Sequence, residues 1–177
     1  MYKYSFKYLF FVFLFFGCAV KPVQVQQQEI DKLSILLQNL DKRIPKQESI
    51  RLSGDIFNQT KKLTKEFELT KPALWHNFLV NVGIREKGLC YHWSDAFYVY
   101  FKGKNSAYFS FHLVGANIGE YFSEHNAMVI MDKGKKNIEN GIIIDPWRDS
   151  GKLYFAKVYQ DKKYRWQHRK DRGCTLK

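Results

Sequence analysis

The chain is short of acid. Against 29 lysines and arginines stand only 17 aspartates and glutamates, a formal charge of +12 over 177 residues. It is also short of cysteine, with three, too few for a disulfide-rich scaffold. The apolar run at 8–16 is nine residues long, whereas a helix needs about 20 to cross a bilayer. No glycine-rich phosphate loop, dinucleotide fingerprint or nucleic-acid motif occurs, so the sequence implies neither a nucleotide cofactor nor a nucleic-acid partner. No internal repeat and no Gly/Ser linker divides the chain. A zinc site from Cys90, His92 and His125 is disfavoured: an i, i+2 pair does not chelate from one helix face, and no second Cys/His cluster accompanies it. No metal and no cofactor is expected.

What is present starts at the N-terminus. Lys3 and Lys7 precede the apolar run 8–16, the layout of a secretory signal. The run ends Leu14-Phe15-Phe16-Gly17-Cys18, which resembles a bacterial lipobox, although the two phenylalanines are bulkier than usual there. Cleavage after Gly17 leaves Cys18 as a lipid-bearing N-terminus. Its palmitate-type chains anchor the protein, each buried methylene contributing about 0.8 kcal/mol. The plainer readings are a simple signal peptide with an incidental cysteine, or an uncleaved anchor. Ala19 and Val20, rather than Asp, follow the cysteine; by resemblance to enteric sorting this indicates the outer membrane, facing the periplasm. Removing Lys3 and Lys7 with residues 1–17 lowers the charge to +10.

The expected organisation is a signal at 1–17, a polar Gln-rich tether at 18–29 and one α+β domain at 30–177. Apolar residues at Ile30, Leu33, Leu37, Leu40 and Ile44 predict a helix ending before Pro45. A second helix is predicted over 47–68, and a third over 73–82, opened by Pro72 and ended by Gly83. After a loop at 84–89, Cys90 starts a fourth, whose apolar face is Trp93, Ala96, Phe97 and Tyr100. Strands follow at 108–114, 125–131, 141–144 and 153–158, separated by turns. Helices first and then an antiparallel-type sheet make the class α+β. Residues 157–177 carry eight lysines and arginines against Asp161 and Asp171. That basic tail reads as a solvated face, with anionic envelope components as its alternative partner.

Three phrases carry chemistry: GLCYHW around Cys90, EHNAMVI around His125 and IIIDPW around Asp145. A thiol becomes a strong nucleophile when its thiolate is stabilised, by a helix N-terminus or by an imidazolium that a carboxylate holds. Cys90 at a helix start meets the first condition. His125 opens a strand in which Ala127, Val129 and Met131 share its face, and that face is expected to meet the Cys90 helix. Asp145 closes the next strand before Pro146, which is expected to stop pairing. Taken singly, these are a buried thiol, a half-buried histidine and a turn-former; in this order at element boundaries they nominate a Cys–His–Asp set. The rival is a Cys90–Cys174 disulfide, disfavoured because Cys174 lies in a polar terminal stretch. Trp93 and Trp147 read as core or cleft walls.

The phrases resemble the transglutaminase-like branch of the papain-type cysteine peptidase superfamily, over about residues 73–159, and most closely its bacterial lipoproteins. The resemblance implies a helix-starting nucleophile at Cys90, a general base and acid at His125 and an orienting carboxylate at Asp145. No match to that superfamily's oxyanion-hole glutamine is evident; His76 or Asn81 is the candidate helper beside the Cys90 N–H. Two functions follow: an envelope enzyme cleaving or transferring an amide or acyl bond of a protein or peptide through a Cys90 thioester, or a non-catalytic lipoprotein using the scaffold as an interaction module.

Overall fold

The computed structural model describes residues 27–170. The expected signal and lipobox-like stretch, Cys18, the start of the expected tether and Cys174 lie outside the described residues. Four helices precede a five-stranded antiparallel sheet of order β4-β3-β2-β1-β5, so the class is α+β. The strands are β1 (Phe109–Ala116), β2 (His125–Asp132), β3 (Ile142–Asp149), β4 (Lys152–Lys157) and β5 (Gln167–His168).

Helix α1 (Gln27–Gln38) buries Leu33 and Leu37, one turn apart, against α2 (Lys46–Glu66). Pro45 sits at the N-cap of α2 in extended conformation, as a residue without N–H and with fixed φ can. The buried stripe of α2 alternates Leu52, Ile56 and Leu63 with Ser49, Ser53, Thr60 and Thr64. Each of these hydroxyls is satisfied by a nearby carbonyl; Ser53 Oγ donates to Ile30 O at 2.7 Å, pinning α1 to α2. Small polar side chains thus let the two helices approach closely without an unpaired group.

Helix α3 (Ala73–Asn81) leads through the 84–89 loop to α4 (Cys90–Lys102). Trp93, Phe97 and Phe101 of α4 are each at most 1 % exposed. Burying such a ring contributes about 2–3 kcal/mol. They pack on Met128 and Ile130 of β2 and on Ile142 and Ile144 of β3. The opposite sheet face, with Ala127, Val129, Met131 and Ile143, is covered by Val158 and Trp166 of the C-terminal segment.

Three expectations change here. Helix α4 covers the Asn126 face of β2, not the His125 face; every residue of β2 is buried, because both sides of the sheet are packed. Pro146 does not end β3. The strand runs on to Asp149 with a shifted register between Asp145 and Asp149, because a bulge lets a strand carry a residue that cannot donate. The basic segment also departs from a simple solvated tail. Its lysines are largely exposed, but Trp166 is 5 % exposed, and β5 pairs with β1 through Val114–His168 and Gly115–Gln167.

Candidate active site

The nucleophile candidate is held by the loop before it. Gly88 has φ +127°, a conformation that L side chains rarely adopt, and an added Cβ would lie 2.0 Å from His76 Nε2. Three side chains then fix this loop. His76 Nε2 donates to Lys87 O at 2.8 Å, Trp93 Nε1 donates to Gly88 O at 3.2 Å, and His92 Nδ1 accepts from the N–H groups of Gly88 and Leu89. His92 reaches back from the first turn of α4 and so satisfies donors that the helix leaves unpaired. Cys90 is therefore delivered to the N-terminus of α4, where the helix dipole favours an anion.

His76 is fully buried, with Nδ1 accepting from Thr70 N at 3.2 Å. Burial holds its pKa below the ordinary value, and it is neutral with the proton on Nε2. Both ring nitrogens are spent on the fold, which corrects its nomination as an oxyanion helper. Asn81 is exposed at the end of α3 and takes no place beside the thiol. Trp93 is core, stacked edge-on to Phe67 at 4.9 Å, rather than a cleft wall. Trp147 does line the site: its ring centroid lies 4.8 Å from that of His125, and its Nε1 donates to Asn77 Oδ1 at 3.0 Å.

His125 is 2 % exposed and Asp145 fully buried, and His125 Nε2 donates to Asp145 Oδ2 at 2.7 Å. The proton on Nε2 leaves Nδ1 as the lone-pair nitrogen of the neutral ring. That atom is buried and makes no hydrogen bond. Cys90 and His125 are near enough for each to move the other's protonation, although sulfur and Nδ1 do not meet at hydrogen-bonding geometry. Such contacts are commonly loose before substrate binds. Burial lowers the His125 pKa, but the hydrogen bond to Asp145 and the nearness of the Cys90 sulfur outweigh it and push the value up to about 9. Burial raises the Cys90 thiol, but His125 and the side chain and backbone of Asn126 outweigh it, so the net direction is downward. Both shifts favour a thiolate–imidazolium pair.

Behind Asp145 lies a second ion pair. Arg148 Nε donates to Asp145 Oδ2 at 3.0 Å, and its two terminal nitrogens donate to Asp161 at 3.2 and 2.7 Å. Trp166 Nε1 completes Asp161 at 2.9 Å. The guanidinium lies 3.8 Å from the Tyr154 ring centroid, and Tyr164 and Trp166 pack on the His125 ring at 4.6 and 5.5 Å. The His125–Asp145 pair is thereby closed off from water, and a lower local dielectric strengthens it.

Sequence reasoning missed Arg148, Asp161, Tyr164 and Trp166, all read as turn or tail. It also missed Asn126, whose Nδ2 lies 3.7 Å from Cys90 Sγ. The alternating aromatics of the basic segment, and the position of Asn126 one residue past His125, were the available signals. Among the described residues no group of three or more His, Cys, Asp or Glu is placed to hold a metal ion, and no helix is long and apolar enough to cross a membrane. No protein-family model, curated protein or solved structure matches the chain.

Proposed function

We propose that the chain is a lipid-anchored bacterial envelope protein whose Cys90, His125 and Asp145 form a thiol acyl-transfer site of transglutaminase-like or cysteine-peptidase type. One observation carries this reading. A fully buried carboxylate holds one nitrogen of His125, while the other, buried and without a hydrogen bond, stands by a thiol of lowered pKa. A merely structural histidine in a packed core has both nitrogens satisfied, as His76 has.

The chemistry follows from that arrangement. The Cys90 thiolate adds to a carbonyl carbon of a protein or peptide substrate, and the C=O π pair moves to oxygen. Collapse of the adduct re-forms C=O and expels the leaving amine, which takes the proton from His125 Nδ1, leaving a thioester. Water or an amine then attacks, with neutral Nδ1 accepting its proton, and the thiolate returns. The acceptor decides between hydrolase and transferase. The signal at 1–17, the lipidated Cys18 and an outer-membrane, periplasm-facing position belong to the same proposal and rest on the sequence.

A second reading, the non-catalytic interaction module, draws on exposed apolar residues: Leu74, Trp75 and Phe78 on α3, with Tyr121 and Phe122 at 91 and 98 % exposure. Iodoacetamide alkylation across pH, followed by mass, separates the two. The acyl-transfer site requires rapid labelling of Cys90 near neutral pH that slows in His125→Ala. A free-thiol profile unchanged by that substitution sinks it.

A further inference from the structure

We infer that Asn126 is a catalytic residue, the side-chain donor that meets the oxyanion beside the Cys90 N–H, and that the site therefore acts on carbonyl carbon rather than on disulfides. The inference rests on the acyl-transfer reading and deepens it by naming the substrate class. Asn126 is 4 % exposed and projects from β2 on the face that α4 covers. Its Nδ2 faces Cys90 Sγ at 3.7 Å and Glu124 Oε1 at 3.4 Å. An ionised carboxylate only accepts, so the group turned toward Glu124 and the thiol is the NH2 and not the carbonyl oxygen.

Glu124 is itself held, accepting from Gly119 N at 2.8 Å and pairing with Arg169 Nη1 at 2.7 Å. The hydrogen bond from Gly119, then Asn126 and Arg169, keep its carboxyl ionised against the opposing effect of burial. The amide is thus oriented before substrate arrives, as a donor for developing charge must be.

When sulfur bonds to the carbonyl carbon, negative charge leaves sulfur for the oxygen one bond further on. A donor that addresses sulfur at rest is within reach of that oxygen afterwards. The first turn of α4 supplies the second donor, because its N–H groups have no intrahelical partner. A thiol that attacks a disulfide passes its charge to sulfur, so no oxyanion develops and a fixed amide donor beside it would contribute little to the rate.

Alkylation and acylation separate the roles of this residue, since iodoacetamide reacts by displacement and forms no oxyanion. Asn126→Leu and Asn126→Gln are compared with the wild type at pH values where labelling has reached its plateau. One assay measures iodoacetamide labelling, the other the p-nitrophenol burst from p-nitrophenyl acetate. Asn126→Leu should lose about 10²–10³-fold in acylation while alkylating within a few-fold of wild type; Asn126→Gln should recover part of the loss. Equal acylation in Asn126→Leu, or equal loss in both assays, overturns the inference and leaves the acyl-transfer reading standing. A wild type that alkylates but gives no Cys90-dependent burst overturns both.

Should Asn126→Leu fail to fold, the native protein still decides the matter. Acetaldehyde forms a hemithioacetal with Cys90, and its oxygen should move the Asn126 side-chain amide proton downfield. An unmoved amide in a Cys90 adduct overturns the inference.

Discussion

Arg148 and His125 donate to the same oxygen, Oδ2 of Asp145, at 3.0 and 2.7 Å. The carboxylate therefore sits between two cations when His125 is protonated, and Asp161 balances the guanidinium from the other side. Along the line from Cys90 to Asp161 charges alternate, so each group is stabilised by its neighbours. Arg148 touches no reacting atom; it is a positioning residue acting through Asp145.

Replacing Arg148 by Met leaves buried Asp161 without its cation and Asp145 with His125 alone. Breaking a buried pair in this way costs about 3–5 kcal/mol. Urea unfolding should show that loss, and Arg148→Lys, which keeps the charge without the fork, should recover part of it. A midpoint unchanged in Arg148→Met contradicts the buried network.

Asp145→Asn keeps the shape and removes the charge. The His125 pKa, held at about 9, should fall toward its ordinary 6.5, and the alkaline limb of the Cys90 alkylation profile should move down with it. Acyl transfer should drop by up to about 10⁴-fold, as when a triad carboxylate is lost. A profile whose alkaline limb stays put shows that Asp145 does not set the His125 charge.

Stability against pH should distinguish the two halves of the pair. The raised His125 pKa gives stability fully present below 6.5 and lost as pH climbs through about 9. The depressed Cys90 pKa gives stability present above 9.0 and lost as pH falls through its folded value. Between 6.5 and 9 the slopes oppose, so the wild type should lose less stability with rising pH than His125 alone would impose. In Cys90→Ser only the histidine slope remains, so its urea midpoint should fall with rising pH relative to wild type. A midpoint that rises instead contradicts the assignment.

Gly88→Ala forces a side chain onto His76 and a strained φ. The backbone strain alone costs about 1–3 kcal/mol. Adding His76→Ala removes the collision, so the double variant should lose less than the two single losses together. Additive losses would mean that the ring does not crowd Gly88. Cys90 alkylation should slow in Gly88→Ala, because the loop sets the thiol at its helix end.

Much of the frame was legible because it depends on local periodicity. The one-sided apolar pattern of α2 and the i, i+3, i+4, i+7 face of α4, bounded by Pro45 and by the glycine before Cys90, located those helices to within a residue or two. The end of β3 was not legible, because whether Pro146 stops a strand depends on whether the partner can bulge around it. Nor was the side of the sheet that α4 would cover. β2 is buried on both faces, so its pattern carries no preference between them. Asn126 was overlooked for that reason, and Arg148 because a DPWRDSG stretch reads as a turn whichever way its guanidinium folds.

By itself the sequence determined the order of the four helices and the first four strands, the α+β class and which residue types stand at their boundaries, since these follow from side-chain periodicity and backbone preference along a few turns of chain. Only the tertiary structure decided that His125 and Asp145 meet at 2.7 Å, that Asn126 faces Cys90, and that Trp166 and Arg148 close the site from behind. Those contacts join residues distant in the chain, and their geometry is set by register, sheet face and packing, which no local stretch of sequence encodes.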